Sequence, residues 1–288
     1  MKFYIPILFF IFISCGNLPN DHDVYIRLTG FAQGTTYHIT YLKKGELDLQ
    51  DKIDSLLHDF DHSLSTYDST SIISRINRND PQVEIDEKFK VVFNTAREVY
   101  EKSGGTFDIT VAPIVNAWGF YLKDGNTRPD SNHIFKLLQY VGMDKVRLDG
   151  NKLIKDDLNV KLDVNAIAQG YAVDLTSSFL DSLEIQDYLV EIGGEIRAKG
   201  KNPKGEAWSV GIDKPIDDNH FPGSVLQEII LLRNKSLATS GNNRKYFVQD
   251  GVKYSHSIDP KTGFPVKDRI LSATIITENC IIADAYAT

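Results

Sequence analysis

The stretch Ser255–Pro265, SHSIDPKTGFP, restricts the path of this chain more tightly than any other. Pro260 and Pro265 each preset φ and lack a backbone donor, and Gly263 admits a left-handed backbone. The segment therefore reads as a rigid loop and not as a continuing strand or helix. A strand-like run, Val252 to Ser255, enters it, and a β-branched run, Ile270 to Thr277, follows it. A rigid polar loop between strands is a usual seat of chemistry. Taken alone, it has a plain alternative: a tight hairpin in which His256 and Asp259 serve only the turn.

The remaining segments predict a fold class. Val24 to Tyr41 is rich in β-branched and aromatic residues and alternates, which predicts two strands joined near Gly30–Gly34. Leu49, Ile53, Leu56, Leu57 and Phe60 recur at helical spacing. A short serine-capped helix is expected over Ile72–Asn77. Asp86 can cap a longer one through Phe89, Val92, Ala96 and Val99, ended by Gly104-Gly105. Residues 121–132 read as a loop, His133–Tyr140 as a helix, and Asp149-Gly150-Asn151 as a hairpin turn. Lys161–Gly170 opens a helix that runs through Tyr171, Val173, Leu175 and Leu180. Strands are expected at 188–192, 196–200, 208–213, 226–232, 244–249 and 270–277, with turns at Gly193-Gly194 and Thr239-Ser240-Gly241. The expectation is a mixed α+β fold, strand-rich at both ends with helices between.

With 288 residues, 42% hydrophobic and 25% charged, the chain is long enough for one large domain or two closely packed ones. A net charge of -7 and the lack of any arginine-rich segment argue against nucleic acid as a partner. Lys2 is the only charge ahead of the apolar run Phe3–Ile13, which is too short to span a bilayer and reads as a signal-peptide core. Ser14-Cys15-Gly16 follows it and resembles a bacterial lipobox, with Phe12 where leucine is usual. The expected organisation is a lipoprotein signal over 1–15, a tether over 16–23 and a catalytic domain over 24–288. Lipidation of Cys15 would hold that domain on the cell membrane, at the periplasmic face of the inner membrane. Cys280 is then left without a disulfide partner and is expected to be a buried thiol.

Phosphate-cradling glycine loops, the dinucleotide fingerprint, a serine elbow and zinc-ligand spacing are all missing from the sequence. What remains is a set of polar clusters at element boundaries: Tyr67-Asp68, Phe107-Asp108, Asp163, His256 with Asp259, and Asp284 with Thr288. Each has a structural explanation on its own. Asp163 could cap a helix, Phe107 could be core, Asp284 could cap a terminal helix, and Tyr67 could be a surface aromatic.

Their joint order is more specific. The collinear blocks are Gly34-Thr35-Thr36-Tyr37, Ser65-Thr66-Tyr67 with Ser71–Asn77, Ser103–Pro113 and Trp118-Gly119-Phe120. They continue with Leu162-Asp163 through Asp174, Ile192–Ile196, Ala238–Gly241, His256–Gly263 and Ala283–Thr288. From about residue 30 to 288 this order resembles the ApbE-type flavin transferases, the FAD:protein FMN transferases. The resemblance implies an ApbE-like (T-fold-like) α+β architecture. It also implies transfer of FMN from FAD to a threonine hydroxyl of an acceptor protein, with release of AMP.

Transfer from a pyrophosphate needs charge neutralisation above all, which magnesium with oxygen ligands provides. The resemblance assigns the metal to Asp284, Thr288 and the main-chain carbonyl of Ala166. It assigns FAD to Gln33, Tyr67, Thr106, Phe107, Asp108, Asp163, Gln169 and Ile258. His256 is the expected base for the acceptor hydroxyl, because imidazole titrates near neutrality, and Asp259 either orients it or acts itself.

Three positions depart from the family pattern. Gln33 stands where methionine is frequent, Gln169 stands where lysine is common, and the chain ends at Thr288 where the family continues, so residues 24–288 could be a shortened domain. Two other readings stay open: an FAD pyrophosphatase giving FMN and AMP, and a non-catalytic flavin-binding lipoprotein.

Overall fold

Strands β1 (Tyr25–Ala32) and β2 (Thr35–Leu42) form the expected hairpin. Its two-residue turn is Gln33-Gly34, and both residues have positive φ (54° and 74°), as the twist of a tight hairpin demands. The computed structural model describes residues 24–45, 48–120, 128–216, 223–242, 246–266 and 270–288. The predicted signal 1–15 with Cys15, the tether 16–23 and most of the loop 121–132 lie outside the described residues. Among the described residues no helix is long and apolar enough to cross a membrane.

β2 continues into an antiparallel sheet with β5 (Tyr188–Ile192), β6 (Glu195–Lys199), β9 (Lys235–Gly241) and β12 (Ser272–Thr277), in the order β1-β2-β5-β6-β9-β12. Strand periodicity sends alternate side chains to opposite faces. Tyr37, Ile39, Tyr41, Tyr188, Val190 and Ile192 share the main core with α1 (Gln50–Leu64), α3 (Glu87–Lys102) and α6 (Ala168–Ser182). On the opposite face Ala198 and Leu237 pack with the hairpin of β7 (Trp208–Asp213) and β8 (Leu226–Leu232). Buried apolar faces on both sides give a layered α+β fold, as expected.

Several expectations hold closely. Ser71 caps α2 (Ile72–Asn77) by accepting from Ser74 N at 3.1 Å, and Asp86 caps α3 by accepting from Phe89 N at 2.8 Å. Gly105 N closes α3 on Tyr100 O at 2.8 Å. The hairpin at 149–151 joins β3 (Val146–Asp149) to β4 (Lys152–Lys155), and β10 (Tyr246–Gln249) pairs antiparallel with β11 (Val252–Ser255) ahead of the Ser255–Pro265 loop. Cys280 is fully buried.

Four expectations are corrected. Thr239-Ser240-Gly241 is no turn but the end of β9, a strand of small residues paired with β12. α4 (Ala112–Trp118) is a helix that pattern reading passed over, with Pro113 in its first turn and Gly119 at φ 74° after its end. α5 runs over Ser131–Leu138, two residues earlier than expected at each end. Finally, α6 begins at Ala168 and not near Lys161. The residues before it form a turn in which Asp163 Oδ1 accepts from Asn165 N at 2.9 Å. Asp163 is therefore the brace of a turn and not the cap of α6.

Candidate active site

The site is built on the crossing of α6 with the last helix, α7 (Cys280–Ala287). Helix starts leave amide donors without intrahelical partners, and here each helix supplies the other's cap. Asp174 of α6 accepts from Cys280 N at 2.8 Å and from Ile281 N at 2.9 Å, both in the first turn of α7. Asp284 of α7 accepts from Gly170 N, in the first turn of α6, at 2.9 Å. Carboxylates at helix N-termini also gain from the helix dipole.

The two helices meet closely at Gly170. A Cβ there would stand 2.4 Å from Cys280 O and 2.7 Å from Asp284 Cβ. Ala283 and Ala287 of α7 lie against Ala238 of β9, small residues on both sides. This corrects the reading of Asp284 as a cap for its own helix. It sits in the middle of α7, is 7% exposed, and Asn279 holds the cap position.

Burial without a paired cation pushes the Asp284 carboxyl up to about 7, and the Gly170 amide only partly opposes this. Thr288 lies one turn further along the same helix, so i and i+4 share a face, and Ala166 lies just ahead of α6. A carboxylate, a hydroxyl and a main-chain carbonyl are hard oxygen donors of the kind magnesium takes. A buried carboxylate of raised pKa is a group that a cation would relieve. The donor set thus fits the expected metal. Among the described residues no group of three or more His, Cys, Asp or Glu side chains is arranged around a metal position.

The loop Ser255–Pro265 is held from below by Trp118. Its indole N–H donates to Gly263 O at 2.8 Å, and its ring packs with Phe120, Phe247, Tyr254 and Phe264. Gly263 has φ 74°, and a Cβ there would meet Ile134 Cγ2 at 2.5 Å. Ile258 bridges to Pro265, and Val266 N donates to Ser257 O at 2.9 Å. Asp259 Oδ1 accepts from Lys261 N at 2.9 Å, and Oδ2 accepts from Thr262 Oγ1 at 3.0 Å. In this structure the Asp259 carboxylate braces the loop that carries His256.

These elements enclose a cavity of about 890 Å³. Gln33 and Tyr67 reach it from the start of the chain, Thr106, Phe107 and Asp108 from the segment after α3, and Asp163, Ala166 and Gln169 from the α6 entry. His256, Ile258 and Asp259 reach it from the loop, and Thr288 from α7. Of the residues expected at the site, only Asp284 is not on the cavity wall; it is buried between its lining neighbour Ala285 and Gly170. Tyr67 is 72% exposed, so its ring is available to a flat ligand, whereas Phe107 is buried in the wall and serves as both core and lining.

Asp108 is buried and its carboxyl is raised by that burial, although Oδ1 accepts from Thr110 N at 2.7 Å and from Thr110 Oγ1 at 2.6 Å. Among the described lining residues Lys261 is the only lysine or arginine, against the carboxylates of Asp108, Asp163 and Asp259. Asn165, Tyr246 and Tyr286 also line the cavity and were not singled out from sequence. The role of Asp174 could have been inferred from a buried-type helix face carrying an isolated carboxylate.

Comparison with known proteins bears on this arrangement. The model of the ApbE family matches residues 33–288. The FAD:protein FMN transferase of Vibrio cholerae is 39% identical over 277 residues, covering 91% of this chain and 80% of that protein. Its counterpart from Haemophilus influenzae is 37% identical over 276 residues, covering 91% and 79%. Among solved structures, the flavin transferase ApbE of Vibrio cholerae superposes with a TM-score of 0.82 at 35% identity, covering 92% of this chain and 85% of that one. The ApbE protein of Thermotoga maritima does so with a TM-score of 0.80 at 30% identity, covering 92% and 85%.

Proposed function

The chain belongs to the ApbE family, and we propose that it transfers FMN from FAD to a threonine hydroxyl of an acceptor protein, releasing AMP in a magnesium-dependent reaction. The observation that carries this reading is the single cavity joining residues from both ends of the chain, with aromatic, acidic and histidine groups on its wall.

FAD brings a pyrophosphate into a cavity whose described lining holds three carboxylates and one lysine, an unfavourable balance for an anion. Asp284, Thr288 and the Ala166 carbonyl would hold the cation. When bound, magnesium neutralises the phosphate oxygens and stabilises the leaving phosphate. Tyr67 offers its exposed ring for stacking, and Phe107 closes the wall behind. His256 takes the proton of the threonine hydroxyl as its oxygen bonds to the FMN phosphorus. The bond from that phosphorus to the bridging oxygen breaks, and AMP leaves with the electron pair. Asp259 acts as a positioning residue, holding the loop through Lys261 N and Thr262 Oγ1.

The test is incubation with FAD, magnesium and a threonine-bearing acceptor, followed by mass spectrometry. An FMN-sized addition on threonine together with free AMP is expected. Free FMN with unmodified acceptor would replace this reading by hydrolysis.

Tyr67→Ala should weaken FAD binding by roughly 1–3 kcal/mol, the usual loss when a stacking face is removed. Fluorescence titration with FAD measures it, and an unchanged affinity would remove Tyr67 from the flavin site. We also propose that Cys15 carries a lipid anchor, on the apolar run and small residues around it. Cys15→Ser should then move the protein from the membrane fraction to the soluble one, because a short apolar run without acyl chains holds poorly. Persistent sedimentation after signal cleavage would count against an acyl anchor.

A further inference from the structure

α1 carries two histidines one turn apart, His58 and His62, on its solvent side. Their Nε2 atoms share a hydrogen bond at 3.1 Å, one ring donating and the other accepting according to tautomer, with ring centroids at 4.5 Å and planes at 69°. Helical i,i+4 spacing brings two such side chains to one face but does not by itself converge their ring nitrogens. Two imidazole nitrogens each about 2.0–2.1 Å from one zinc would stand about 3.3 Å apart at a tetrahedral angle and about 2.9 Å apart at a square one. The observed separation falls between these values.

The surroundings of the pair are acidic. Asp68 Oδ1 accepts from Thr70 N and from Thr70 Oγ1, each at 2.7 Å, which fixes the carboxylate in its turn. Its other oxygen then stands 3.6 Å from His62 Nδ1. That carboxylate places a negative charge beside the His62 ring, which favours a cation held by the pair. Asp61 adds a second negative charge that acts on both histidines. His62 is about half exposed, so an ion reaches the pair from solvent.

We propose that His58 and His62 form a two-histidine site for a borderline transition-metal dication, zinc, nickel or copper(II), with water completing the coordination. Imidazole nitrogen selects such ions over magnesium, so this site is distinct from the oxygen donors at Asp284. The proposal is independent of the transferase reading.

Calorimetric titration of the full chain in detergent, free of any polyhistidine tag and with excess magnesium present, tests it with nickel(II) and zinc(II). One saturable equivalent is expected. His58→Ala and His62→Ala should each weaken it at least about tenfold, and Asp68→Ala should weaken it by about tenfold, the usual scale for an outer carboxylate. The two histidine variants place alanine, the best helix former, at exposed helical positions, so the helix itself is not endangered. Equal affinity in wild type and in the His58→Ala/His62→Ala double variant would overturn the proposal, as would the lack of saturable binding by wild type.

Discussion

Asp284→Asn should reduce flavin transfer by at least about 10²–10³-fold, the scale seen when a group that stabilises charge in a transition state is removed. The protein should remain folded. Asparagine keeps an acceptor for Gly170 N, the contact Asp284 makes at 2.9 Å, removes the charge, and replaces the other oxygen by an NH2 donor. The charge does not hold the fold together. Burial raises the Asp284 carboxyl to about 7, above its ordinary value, so ionising it destabilises the metal-free fold. That penalty is missing at low pH, grows as pH rises through this window, and is complete above about 7. Without divalent cation at pH 8, the variant should melt at or above the wild-type temperature.

Added magnesium should raise the melting temperature of wild type by mass action and leave the variant unmoved. Chelation of the wild type should reproduce the loss of activity. A variant that transfers FMN at near wild-type rate would remove the metal from Asp284 and shift the burden to Lys261 and His256.

Gly170→Ala is the second change expected to have a large effect. The added methyl would lie 2.4 Å from Cys280 O and 2.8 Å from Cys280 C, atoms of a helix backbone that no rotamer change can move. Alanine gains about 1 kcal/mol over glycine in helix propensity. Overpacking of a close contact costs about 1–3 kcal/mol, so a net loss of stability is expected. The effect on function should be larger than the effect on the fold. Separating α6 from α7 moves Asp284 away from Gly170 and disturbs the caps that Asp174 gives to Cys280 N and Ile281 N. Thermal melting together with the transfer assay measures both. Wild-type activity in Gly170→Ala would mean that the site tolerates the displacement of α7.

The elements best read from sequence are those with local causes. Ser71 and Asp86 cap the helices they were expected to cap, because a cap is a contact over three residues. The turn at Gln33-Gly34 and the buried alternation of Tyr37, Ile39 and Tyr41 follow from twist and period. The strand β9 escaped because KSLATSG carries little hydrophobic signal. Its small residues are explained only by Ala283 and Ala287 packing onto Ala238 from a helix formed much later in the chain. α4 escaped although Pro113 and Gly119 mark its ends, since seven residues are too few for a clear period.

The residue types that could do the chemistry, and their order along the chain, were determined by the sequence alone, through the blocks shared with the family. Asp284 shows what the sequence could not decide. From sequence it was a carboxylate free to cap its own helix. Tertiary packing buries it, sets it against Gly170, and raises its affinity for a proton. Asp259 shows the same limit in the other direction, since only the folded loop reveals that both its oxygens are engaged at Lys261 N and Thr262 Oγ1. Solvation and long-range contact decide the state of a charged group, and neither is written in the local order of residues.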